Sequence, residues 1–108
     1  MPLKLFGVFP SQPTRAIAFL CEYKELSYQF IKVNPAAPKS KKIDYINNVN
    51  PSGKVPAIDD DGFVLYESCA IMTYLATKHN WEDLYPSNDL KRRALIDQYL
   101  HWHHENTR

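Results

Sequence analysis

The stretch Asn50-Pro51-Ser52-Gly53-Lys54-Val55-Pro56-Ala57-Ile58 leads through Asp59-Asp60-Asp61-Gly62 into Phe63-Val64-Leu65-Tyr66-Glu67-Ser68-Cys69-Ala70-Ile71. It reads as a strand entered through a Val-Pro bond, a hairpin turn, a second strand, and a helix that opens on Glu-Ser. Proline cannot donate to a sheet ladder, so its place here needs a reason. An X-Pro bond is the one common site of a cis peptide. A kink at Pro56 would leave the N–H and C=O of Val55 facing outward, able to pair with an extended ligand. The helix start at Glu67-Ser68 offers unpaired N–H groups and a positive dipole end, which suit a carboxylate. The two features together describe a site for a small peptide with a free carboxylate.

Outward from this stretch the elements follow in a regular order. Leu3 to Phe9 alternates loosely as a buried strand, and Pro10-Ser11-Gln12-Pro13 breaks it. A helix is predicted from about Pro13 to Tyr23, with Ile17, Leu20 and Cys21 at i, i+3, i+4 and proline in its first turn. Leu26 to Val33 alternates as a second strand, so strand-helix-strand implies a parallel βαβ unit. Residues 34–50 are polar and basic, expected as a loop with one short irregular helix. Val55 to Ile58 and Phe63 to Tyr66 form the hairpin, turned by Asp59-Asp60-Asp61-Gly62. Ser68 to Lys78 is expected as a helix striped by Ile71, Tyr74 and Leu75. Residues 80–88 read as a linker, and Asp89 to about Glu105 as a long amphipathic helix. Leu95, Ile96, Tyr99, Leu100, Trp102 and His103 give that helix a wide apolar surface that must bury against something.

Composition narrows the class. The chain has 108 residues, a length that predicts one domain, and 44% hydrophobic content with 13% aromatics is enough for a packed core. A net charge of +1 and no like-charge block of five argue against a nucleic-acid partner. The longest apolar run, Ala16 to Cys21, falls far short of the ~20 residues of a membrane span. The N-terminus lacks the basic-then-apolar order of a signal peptide. Cys21 and Cys69 each sit in a helical apolar pattern and make no secreted disulfide framework, so a reduced, cytoplasmic setting is the expectation. His101 and His104 share a helix face, but no cysteine or carboxylate lies at zinc-like spacing, so no metal site is expected; helix packing among aromatic neighbours accounts for them.

Asn-Pro-x-Gly-Lys-Val-Pro-Ala-Ile, a turn, then Glu-Ser-x-Ala-Ile resembles the glutathione-binding half of the cytosolic glutathione transferases. Phe9-Pro10-Ser11-Gln12-Pro13-Thr14-Arg15-Ala16 resembles the serine-type active-site loop of the theta-like classes. The tail from Ala94 to His104 is similar to the first helix of their all-helical second domain. The resemblance spans nearly the whole chain. It implies an α/β, thioredoxin-like βαβ-ββα domain over 1–79, a linker over 80–88, and over 89–108 the first helix of a helical domain left incomplete. The pattern of elements comes from the residues; the fold name comes from the resemblance.

The resemblance also implies chemistry. Glutathione is the co-substrate, no cofactor is required, and the glutathione thiolate is added to a small electrophile by a homodimer, with hydroperoxide reduction as a further activity. Ser11 would donate a hydrogen bond to the sulfur; the sequence alone equally supports a plain helix N-cap, and the two roles coexist. Val55 would pair its backbone with the cysteinyl unit beside a structural cis-proline at Pro56. Lys54 would reach the tripeptide's backbone or carboxylate. Glu67 and Ser68 would hold the γ-glutamyl ammonium and carboxylate, or simply cap their helix. Lys41 and Lys42 fall where the glycyl carboxylate is held, in a loop that could equally be solvated. Arg15 braces the active-site loop or lies on the surface. Glu105 and Arg108 fall where a charged pair lies near the thiol and the dimer partner. Disulfide exchange is not expected, because no reactive cysteine occupies the first strand-helix junction. The reading from a different class is a non-catalytic transferase-like module for protein assembly, motivated by the apolar face of the last helix.

Overall fold

The structure, a computed structural model, describes residues 3–106, with side chains as far as His103. It divides into two compact units, Met1–Ile71 and Met72–Arg108.

The first unit is built on a four-stranded sheet in the order β2-β1-β3-β4, with β1 Leu3–Gly7, β2 Tyr28–Lys32, β3 Ala57–Asp60 and β4 Phe63–Tyr66. β1 and β2 are parallel; β1–β3 and β3–β4 are antiparallel. The parallel pair is joined by helix α1, Gln12–Tyr23. Between β2 and β3 lie a 3₁₀ turn, Lys39–Lys41, and the short helix α2, Ile43–Asn48. Helix α3, Ser68–Lys78, follows β4, and the unit boundary falls inside it. This is the thioredoxin-like arrangement.

Period-2 burial along β1 explains the layers. Leu3, Leu5 and Gly7 are buried and alternate with half-buried Lys4 and Phe6. Gly7 lies against Thr14 of α1, so that face is covered by α1. Phe6 meets the Tyr45 ring of α2 at 5.6 Å, so the other face lies under α2. Leu5, Ile17, Cys21, Ile58 and Ile71 are fully enclosed and form the core of this unit.

Element ends depart from the sequence expectations in three places. β1 stops at Gly7, because the chain then turns toward α1, with the Ser11 N–H donated back to the Val8 carbonyl at 3.0 Å. β2 is confined to Tyr28–Lys32. β3 runs Ala57–Asp60 in place of Val55–Ile58, since Pro56 has no N–H to give the ladder. The hairpin therefore turns on Asp61 and Gly62 alone, at φ +53° and +95°, with the Gly62 N–H donated to Asp59 Oδ1 at 2.8 Å. Positive φ at both central residues matches the right-handed twist of a two-residue hairpin, and glycine adopts it without a Cβ clash.

The second unit holds the rest of α3 and helix α4, Leu90–Asn106. Asp89 caps α4: its Oδ1 accepts the Arg92 N–H at 3.0 Å. The connection is tied by Glu82, whose Oε1 accepts both the N–H and the hydroxyl of Ser87 at 2.9 Å. The Tyr85 hydroxyl donates to Asp97 at 2.8 Å, with the Arg93 guanidinium 4.2 Å above its ring. Leu95, Tyr99 and Trp102, one face of α4 at i, i+4, i+7, are all more than half exposed.

Candidate functional site

Sheet register gathers the expected residues at one end of the first unit. Phe6, Ala57 and Tyr66 align across three strands, with Gly7 and Lys32 one step beyond. The segments that leave this end are Val8 to Ser11, Val55-Pro56 and Glu67-Ser68. α1 and α3 both begin here, so two helix N-termini, each with partial positive charge, face the same end of the sheet.

Ser11 is the N-cap of α1. Its Oγ accepts the Thr14 N–H at 3.3 Å, its own N–H donates to the Val8 carbonyl at 3.0 Å, and it is half-buried. A hydroxyl has one donor and two acceptor positions. Here an acceptor position is taken, and among the described residues nothing receives the Ser11 O–H. Arg15 braces the same loop by donating from Nη1 to the Phe9 carbonyl at 2.7 Å.

Val55-Pro56 is cis. Among the described residues no hydrogen bond engages the Val55 N–H or C=O. The loop before it is held rigidly from beneath. The Lys54 carbonyl accepts the Tyr45 hydroxyl at 2.6 Å and the Asn50 amide at 3.0 Å, while Asn50 Oδ1 accepts the Ser52 N–H and hydroxyl at 3.0 and 2.8 Å. Asn50 is 2% exposed and Tyr45 is buried. Burial pushes the Tyr45 phenol up to about 12, against a smaller lowering by the Asn50 hydrogen bond, so it remains a donor at neutral pH.

The lysines divide. Lys42 Nζ donates to the Pro35 carbonyl at 2.6 Å and the Gly53 carbonyl at 3.2 Å, tying two loops together with one of its three N–H donors to spare. Lys41 and Lys54 are exposed. Lys41 and Lys42 line a cleft of about 350 Å³ with Lys32, Asn34 and Tyr45, beside the end of β2.

Ser68 opens α3 and is 5% exposed; its hydroxyl makes no hydrogen bond among the described residues. Glu67 before it is exposed and sits at φ +76°, in the left-handed region that costs a non-glycine residue roughly 1–3 kcal/mol and recurs at ligand clamps. The expectations for Arg108 and for the side chain of Glu105 lie outside the described residues. No group of three metal-ligating side chains occurs among the described residues, and no helix is long and apolar enough to cross a membrane. A larger cleft of about 480 Å³, lined by Cys21, Glu22, Glu25 and Tyr28, lies at the opposite end of the sheet, away from all of these residues.

Sequence reasoning missed the support beneath the site. Tyr45 looked like any aromatic in a polar loop, and Asn50 like the first letter of a turn. Asn two positions before Ser52 was the legible signal, since an Asx turn uses that spacing. Nothing local marked Tyr45, which reaches Lys54 from nine residues away.

Residues 1–77 match the family model described as glutathione S-transferase, N-terminal domain. Over 108 residues the chain is 39% identical to glutathione S-transferase theta-1 of Rattus norvegicus, covering all of this chain and 45% of that protein. Among solved structures it superposes on a human theta-class glutathione transferase in complex with the glutathione conjugate of 1-menaphthyl sulfate, with a TM-score of 0.86 and 34% identity over 97% of this chain and 43% of that one. An epsilon-class glutathione S-transferase of the housefly, Musca domestica, matches with a TM-score of 0.84 and 35% identity over 93% of this chain and 45% of that one. The chain thus spans less than half the length of these relatives. Sheet order, the loop around Ser11 and similarity across the whole chain agree: the chain belongs to the glutathione S-transferase family, carrying its N-terminal domain in theta-like form.

Proposed function

We propose that this chain is the glutathione-binding part of a transferase that adds the glutathione thiolate to small electrophiles, acting in the cytoplasm as a homodimer. The observation that carries the reading is the spare O–H of Ser11 at the sheet end where the Val55 backbone pair is unengaged. An ordinary thiol has a pKa of about 8.5, so only a few per cent is thiolate at neutral pH. A hydroxyl donated to the sulfur favours the charged form, and the α1 N-terminus acts in the same sense. The thiolate electron pair then forms the carbon–sulfur bond as the leaving group departs or the acceptor takes up the charge.

Binding follows from the same end of the sheet. Val55 pairs with the cysteinyl backbone. Ser68 and the α3 N-terminus receive the γ-glutamyl carboxylate, and Glu67 receives its ammonium. Lys41, the third donor of Lys42, and Lys54 supply positive charge for the glycyl carboxylate. The human theta-class structure with its glutathione conjugate supports this assignment.

The test is the ultraviolet thiolate absorbance of glutathione, titrated against pH with the chain in excess. A thiol pKa below that of free glutathione is expected. Binding without a shift removes Ser11 activation, and no binding favours an assembly module.

A further inference from the structure

We infer that Gly7 and Thr14 are positioning residues for Ser11: the bare backbone of Gly7 admits the Thr14 side chain, and that contact sets where the Ser11 hydroxyl points. This rests on the reading of Ser11 as the thiol's hydrogen-bond donor.

Three observations combine. Thr14 is completely buried, yet its Oγ1 finds no hydrogen-bond partner among the described residues, so the side chain contributes shape and not polarity. A Cβ placed on Gly7 would fall on the Thr14 methyl, Cγ2, and would stand 2.8 Å from Oγ1 and 3.1 Å from Cβ. The Thr14 N–H, in turn, is the group that holds Ser11 Oγ at 3.3 Å. The chain of contacts runs from the last residue of β1, through the first turn of α1, to the hydroxyl. An N–H fixed on one side of Oγ restricts the O–H to the remaining directions, away from the helix. Moving Thr14 outward carries that N–H with it and releases the rotor. Position matters steeply, since a displacement of about 1 Å at a reacting group costs up to about 100-fold in rate.

The test uses G7A, T14S and the double variant G7A/T14A. T14S deletes the methyl that leans on Gly7. G7A/T14A transfers bulk from one side of the contact to the other, leaving only the tight 3.1 Å approach between the two Cβ atoms. Two readouts are taken on each folded variant: amide hydrogen exchange at position 14, which needs no glutathione, and the pH profile of bound glutathione thiol. In G7A the amide is expected to exchange faster, and the pKa of the bound thiol to rise back toward that of free glutathione, leaving about tenfold less thiolate at neutral pH with glutathione affinity unchanged. T14S moves both readouts in the same direction by less, which keeps the inference testable should G7A not fold. G7A/T14A restores both toward the parent chain. An unchanged amide at position 14 in G7A and T14S overturns the positioning role even where the parent chain lowers the thiol pKa. A parent chain that binds glutathione without lowering its pKa overturns the Ser11 reading instead, whatever the amide does.

Discussion

At the scale of single residues, the site rests on groups whose hydrogen-bonding capacity is only partly used. Ser11 accepts from Thr14 and, in the proposed role, donates its proton to the thiol, so replacing Ser11 by Ala would remove two things at once. The lost N-cap costs about 1 kcal/mol of stability. The lost donor lowers turnover by about 100-fold with little change in glutathione affinity. Thermal melting and steady-state kinetics separate the two, and unchanged turnover in S11A would remove Ser11 from the mechanism. Thr14 presents the opposite case, a buried hydroxyl with no partner. Thr14→Val keeps the shape and deletes the orphan polar atom, and should stabilise the chain by about 1 kcal/mol in urea melts.

Elements carry the next layer. The loop from Asn50 to Pro56 has no regular structure, yet Tyr45 and Asn50 fix it through the Lys54 carbonyl and the Asx turn at Ser52. Asn50→Ala removes three of those bonds from a buried position and should cost about 2–3 kcal/mol, with a weaker grip on glutathione measurable by calorimetry. Tyr45→Phe leaves Lys54 its Asn50 donor, so its cost is about 1 kcal/mol. On α1, burial, aided by the neighbouring Glu22 charge, holds the Cys21 thiol up at about 11, well above the ordinary thiol range. The folded state keeps this proton where the unfolded chain releases it. The resulting stability is full below pH 9 and is lost as pH rises from about 9 to about 11. Stability followed by denaturant melts across that range should fall, and Cys21→Ala should flatten that part of the slope. Cys69, less buried, reacts with a thiol reagent first, and Cys21 only on unfolding.

At the scale of the whole molecule, all of the described site residues belong to the first unit, and α4 belongs to the second. The stripe of Leu95, Tyr99 and Trp102 that the sequence marks for burial is exposed in this chain. Substituting Leu95 or Trp102 with Gln should therefore change the stability of the 108-residue chain by less than about 0.5 kcal/mol. A drop of several degrees in melting temperature would mean that this face is covered in solution.

The sequence by itself determined the order of elements, because hydrophobic period, proline and turn residues are local signals. It was enough to locate α3 at Ser68–Lys78 and β4 at Phe63–Tyr66, while the cis bond before Pro56 came with the motif resemblance. Motif resemblance named Ser11, Val55, Glu67 and Ser68, and their common end of the sheet follows once the strands pair. Only the tertiary structure decided what supports them. That Lys42 ties two loops, that Tyr45 and Asn50 share one carbonyl, and that Gly7 makes room for Thr14 are contacts between residues four to eleven positions apart. Composition and periodicity record what each residue prefers; which neighbour it meets is fixed only when the chain closes on itself.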